Sequence, residues 1–150
     1  MADDRIVLRI HDLVSTDRMD VIRELMKDMV ERNGFDAEYA QLVESEIIER
    51  EKLTPTAIGH GVAIPHARLE RQAQVTAVLG RSEAGLSWDA PDGQPVHLVF
   101  LFVSPKQDIQ IHTQTLSKIA KIASEHEFDE VTIRNLKSND LWELLDDEEG

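Results

Sequence analysis

Residues 50–68 read Arg50-Glu51-Lys52-Leu53-Thr54-Pro55-Thr56-Ala57-Ile58-Gly59-His60-Gly61-Val62-Ala63-Ile64-Pro65-His66-Ala67-Arg68. Val62-Ala63-Ile64 is a short apolar run, the size of a buried strand end. Pro65 has no N–H to give to a ladder, so the strand is expected to stop there. His66 then stands just past a strand end, aimed outward from a rigid scaffold. Glycines on both sides of His60 let the backbone turn tightly or approach something closely.

On the N-terminal side, Pro55 forces Thr54 out of the helical region, so Thr54-Pro55-Thr56 ends a helix. That helix is capped by Asp36 and carries Tyr39, Ala40, Val43 and Ile47. An earlier helix starts at Asp17, shows Val21, Ile22, Leu25, Met26, Met29 and Val30 at helical spacing, and closes at Asn33-Gly34. The alternation from Arg5 to Ile10 predicts a short strand or extended lead-in. On the C-terminal side, Val75 to Leu79 reads as a strand bounded by Gly80, and Gly85 to Trp88 as a short edge strand or turn. Asp92-Gly93 is a hairpin signal. Val96 to Val103 is nearly all apolar apart from His97, as a central strand buried on both faces would be, and Ser104-Pro105 ends it. Ile111 to Ser124 reads as a helix with Thr115, Leu116, Ile119, Ala120 and Ala123 near one face. Asp129 caps a short helix to Leu136, and Ser138 or Asp140 a last one holding Leu141, Trp142, Leu144 and Leu145. The order predicts an α/β fold: a single mixed β-sheet flanked by helices on both faces.

The 150 residues suit one domain over 1–150, with 146–150 as a frayed acidic tail. Without cysteine there is neither a disulfide framework nor a thiolate site. The start lacks a basic stretch followed by an apolar core, and no run approaches a membrane span, so a cytoplasmic protein without membrane insertion is expected. A net charge of −13 argues against nucleic acid, whose phosphates draw on Lys and Arg. It suits a basic protein partner, or solubility alone. The oligomeric state is not legible.

Three polar residues stand out chemically. His66, with an ordinary pKa of about 6.5, offers a neutral nitrogen lone pair that can attack phosphorus and later release the group. His112, in Ile-His-Thr-Gln-Thr-Leu-Ser, sits at a helix start, where free N–H groups and partial positive charge suit a phosphate; a plain cap histidine is the other reading. Arg50 can fork onto two phosphate oxygens or simply face a helix end. Thr54 and Thr56 offer hydroxyls for a phosphate or for a turn. His60 reads as scaffold, His97 as incidental to its strand, and His11 and His126 have weaker claims. A His60-His66-His112 metal site matches no zinc spacing, and no phosphate-cradling Gly-x-x-x-x-Gly-Lys loop appears, so neither metal nor nucleotide cofactor is expected.

Glu51, Ile58, Gly59, Val62, Ala63, Ile64, Pro65, His66 and Ala67 together fill a pattern that resembles the enzyme IIA component of the sugar phosphotransferase system, mannitol/fructose-type. The order of elements is similar from about Arg5 to Leu145. The resemblance implies that His66 carries the phosphoryl group, that His112 is the second histidine beside it in space, and that Arg50 binds the phosphate. Thr113 stands where relatives often have an apolar residue. The implied donor is the phosphocarrier HPr and the implied acceptor an enzyme IIB domain. In the nitrogen-type branch, phosphorylation would instead gate a regulated protein. A plain protein-binding α/β domain is the non-catalytic alternative, and it leaves the Pro65-His66 presentation without a purpose.

Overall fold

A computed structural model describes residues 10–126 and 128–136. The chain runs β1 (Ile10–Asp12), α1 (Arg18–Asn33), α2 (Ala37–Leu53), β2 (Ala57–Gly59), β3 (Val62–Ala63), β4 (His66–Leu69), β5 (Thr76–Leu86), β6 (Val96–Pro105), α3 (Ile109–Glu125) and α4 (Glu130–Arg134). Of the expected lead-in strand only Ile10 lies among these residues; the expected last helix and the acidic tail lie outside them.

Local chemistry sets the helix ends. Asp17 accepts hydrogen bonds from the backbone N–H groups of Met19 and Asp20, and Gly34, at φ 66°, donates to the Val30 carbonyl. Asp36 accepts from Tyr39 N–H at 2.7 Å. Thr54 is extended ahead of Pro55, which ends α2 as expected.

The sheet is mixed. Its order is β1-β5-β6-β3-β2, with β4 also pairing to β6. β5 lies antiparallel to β6, while β3 and then β4 pair with β6 in parallel. All of β6 is buried, as its apolar run predicts. Val99, Leu101 and Val103 face a core with Val21, Leu25 and Met29 of α1 and Val43 and Ile47 of α2. Leu98, Phe100 and Phe102 face a second core with Ile119, Ile122 and Ala123 of α3 and Ile133 of α4. Helices therefore cover both faces, as the sequence predicts.

Three local expectations are corrected. Pro65 does not take the chain out of the sheet: β3 ends at Ala63, but the Pro65 carbonyl accepts from Phe102 N–H at 3.1 Å, and β4 resumes the same pairing at His66. His66 thus opens a strand instead of following one. Gly80 does not bound β5, which continues to Leu86; a side chain there would press on Leu13 and Leu25, so the glycine serves packing within the strand. In α3 the buried stripe takes Ile122 in place of Ala120, which is exposed, as is Thr113.

Candidate phosphoryl-transfer site

The β4–β6 register builds the site. His66 lies opposite Phe102, and Arg68 opposite Ser104. Alternate residues of a strand share a face, so all four stand on the side covered by α3. His112, on the first turns of α3, drops into this row.

The His66 ring stacks on Phe102 with centroids 5.4 Å apart and planes 17° from parallel. Its Nδ1 lies 2.7 Å from the Ile64 carbonyl. A carbonyl can only accept, so Nδ1 carries the hydrogen and Nε2 keeps the lone pair. Burial lowers the His66 pKa below the usual histidine value; the Arg50 and Arg68 charges push the same way, against the Ile64 carbonyl and the Glu51 charge.

His112 is buried, its centroid 5.2 Å from that of His66 and 5.5 Å from that of Phe102. Its Nδ1 lies 2.6 Å from Ser104 Oγ. Burial, then the charges of His66 and Arg68, bring its pKa down to about 4. The helix start is itself capped. Asp108 caps α3 with its carboxylate on Ile111 N–H, and His112 N–H donates to the Asp108 carbonyl at 3.3 Å. What His112 brings beside His66 is its ring, since its own N–H is already engaged.

These shifts have a consequence for stability. In the unfolded chain His112 protonates near pH 6.5, but in the fold only near pH 4. Between those values the unfolded state binds more protons, so stability is full above about pH 6.5 and falls as the pH drops toward 4. The melting temperature is expected to be lower at pH 5 than at pH 7, and His112→Gln should flatten part of that fall. An unchanged slope in the variant would place the proton uptake elsewhere.

Arg50, in the last turn of α2, donates through Nη1 to the Thr54 carbonyl at 3.0 Å, and its charge bears on His66. It therefore closes the helix end while its charge is felt at His66. Thr54 is exposed at that helix end. Thr56 is not available to a phosphate: its hydroxyl donates to Glu51 at 2.6 Å. Glu51, fully buried, also accepts from Thr56 N–H and from Trp88 Nε1, both at 2.9 Å. The carboxylate of the motif thus pins the start of β2, and through it the strands that carry His66.

The His60 backbone is built into a turn. It occupies a left-handed turn, φ 57°, between Gly59 and Gly61; its N–H donates to Asp92 and its carbonyl accepts from Phe128 N–H. A Cβ on Gly61 would fall 2.0 Å from the Phe128 carbonyl oxygen, so glycine is required there. His97 donates from Nδ1 to the Ser82 carbonyl, His11 pairs with Glu24, and His126 caps α3. Among the described residues, no three His, Asp or Glu side chains group as metal ligands, and no helix is long and apolar enough to cross a membrane.

Arg68, Phe102 and Ser104 were missed from sequence. Arg68 had a signal: it is two residues beyond His66 on a strand. The other two become visible only through the register of β6.

Comparison with known proteins identifies relatives of the chain. The model of the family described as "Phosphoenolpyruvate-dependent sugar phosphotransferase system, EIIA 2" matches residues 5–148. The nitrogen regulatory protein of Escherichia coli (strain K12) is 35% identical over 115 residues, which is 73% of this chain and 68% of that protein. The fructose-specific EIIABC component of Bacillus subtilis (strain 168) is 33% identical over 87 residues, 58% of this chain but 14% of that longer protein. Among solved structures, the nitrogen regulatory protein IIA-Ntr from Neisseria meningitidis superposes with a TM-score of 0.78 at 26% identity, over 93% of this chain and 96% of that one. The IIA mannitol protein of Escherichia coli shares the fold, with a TM-score of 0.69 at 20% identity, over 93% of this chain and 95% of that one. With its family model spanning nearly all of its length, the chain belongs to the EIIA 2 family of the phosphoenolpyruvate-dependent sugar phosphotransferase system.

Proposed function

We propose that the chain is a histidine phosphocarrier that takes a phosphoryl group from phosphorylated HPr onto Nε2 of His66 and passes it to an enzyme IIB domain. The observation that carries this is the hydrogen bond from His66 Nδ1 to the Ile64 carbonyl, which leaves Nε2 as the nucleophilic nitrogen beside His112. In the step, the Nε2 lone pair forms the new N–P bond. The donor's N–P bond breaks, and its electron pair returns to the donor imidazole. Phosphoryl transfer asks the protein for alignment and charge stabilisation with little other covalent work. Phe102 stacks the ring in place, Arg50 and Arg68 supply positive charge, and Thr54 adds an exposed hydroxyl. Incubation with phosphoenolpyruvate, enzyme I and HPr should add one phosphoryl group by intact mass, labile to acid and stable to base. A chain that stays unmodified would end the proposal.

A second reading, a nitrogen-type regulator whose phosphorylation state gates a partner protein, is favoured by the name of the Escherichia coli relative that aligns over 73% of this chain. The solved complex of enzyme IIAMtl with phosphorylated enzyme IIBMtl supports the acceptor of the first reading through its fold, with a TM-score of 0.68 at 19% identity. Transfer to a panel of IIB domains separates the two: prompt loss of the label to one of them favours the transport reading, and retention against all of them the regulatory one.

His112→Ala should still take label, but on the order of 10²-fold more slowly, because one positioned donor is lost from the phosphoryl group. A simple helix residue would instead cost about 1 kcal/mol of stability with transfer unchanged. Timed labelling beside a melting curve distinguishes these outcomes.

A further inference from the structure

We propose that Ser104 is a positioning residue: its hydroxyl holds His112 in the tautomer with the hydrogen on Nε2, making that nitrogen a donor to the phosphoryl group on His66. The inference rests on the phosphocarrier reading above.

Ser104 is fully buried in β6, two residues beyond Phe102 and on the same face. A serine hydroxyl has one hydrogen to give, and a buried donor left unpaired is costly. Among the described residues, the only side-chain partner of this hydroxyl is His112 Nδ1, at 2.6 Å. If Nδ1 were the donor instead, the Ser104 hydrogen would be stranded in the core. The hydroxyl therefore donates, and Nδ1 holds the lone pair. A neutral imidazole carries a single N–H, which is then on Nε2. The ring is neutral at physiological pH, with its pKa down to about 4.

The two rings are thus set in opposite tautomers by two different devices. The Ile64 carbonyl, an acceptor, puts the His66 hydrogen on Nδ1 and leaves a lone pair at Nε2. The Ser104 hydroxyl, a donor, does the reverse to His112. One ring presents a nucleophile and its neighbour, 5.2 Å away, presents an N–H. The hydrogen is only shared with a phosphoryl oxygen and stays on His112 throughout, so the balance of the transfer step is unchanged. In the other tautomer His112 would turn a lone pair toward those oxygens and repel them.

The test compares Ser104→Thr with Ser104→Val, which have nearly the same shape and differ in the hydroxyl. The imidazole nitrogen chemical shifts of His112, measured by NMR on the unphosphorylated protein, report which nitrogen carries hydrogen. Wild type and Ser104→Thr are expected to show hydrogen on Nε2 and equal labelling rates. Ser104→Val should show a mixed tautomer signal and label about tenfold more slowly, the scale of one hydrogen bond. Hydrogen on Nδ1 in the wild type would overturn the proposal, as would a Ser104→Val protein that labels as fast as Ser104→Thr. Should the wild type take no label at all, the phosphocarrier reading itself falls, and the donor role with it, whatever the tautomer measured.

Discussion

Replacing His66 with alanine is expected to abolish phosphoryl uptake. The variant loses the attacking nitrogen, and among the described residues no other group offers the same presentation. His112 is deeply buried, and the Ser104 bond to its Nδ1 sets its Nε2 as a donor, not a nucleophile. Loss of a covalent nucleophile typically costs on the order of 10⁴-fold or more, which is loss of detectable label in this assay. Phe102, freed of its stacking partner, stays packed in the core between β6 and α3, so the fold should persist. Intact mass after incubation with phosphoenolpyruvate, enzyme I and HPr reads the result, and a melting curve confirms folding. Undiminished label on His66→Ala would move the nucleophile elsewhere.

Glu51→Ala should be the most damaging change to stability near the site. The carboxylate has no exposure and accepts three hydrogen bonds, from the Thr56 N–H and hydroxyl and from the Trp88 indole. Alanine strands all three donors in the interior. Each unpaired buried donor costs about 1–3 kcal/mol, and broken networks are rarely fully additive, so a loss of about 4 kcal/mol is expected. Trp88→Phe removes one of the three donors together with its bond and should cost far less. Urea midpoints for the two variants check the order; equal losses would mean that the tryptophan packing, not the carboxylate, holds this junction.

Much of the fold was legible because its signals are local. Asp17, Asp36 and Asp129 each cap a helix with a carboxylate a few residues from the N–H groups it satisfies. The apolar run of β6 could only be a strand covered on both faces. At the site, His66, His112 and Arg50 came from the motif and its resemblance, and the fold brings the two histidine rings together with the arginine charge close by. What stayed hidden depends on distant pairing. Ser104 looked like the end of a strand until its register placed it under His112. Glu51 filled a place in the motif, but its burial was not legible, since its indole partner lies on the far side of the motif. Pro65 looked like a strand terminator because a missing N–H is visible in sequence, whereas the use of its carbonyl by Phe102 is not.

The parallel pairing of β4 with β6 also dictates an order of events during synthesis. When His66 has been made, its strand has no partner, because β6 comes only after the whole of β5 and the connection through residues 87–95. A parallel contact of this span closes a long loop before it is rewarded, so it belongs to the late, non-local part of folding. His112 arrives later still, on the helix that follows. A nascent or partly unfolded chain therefore carries every motif residue yet has neither the stacked ring nor its neighbour. On the phosphocarrier reading proposed above, competence for phosphorylation would then certify completed folding, and a donor would spend no phosphoryl groups on unfinished copies.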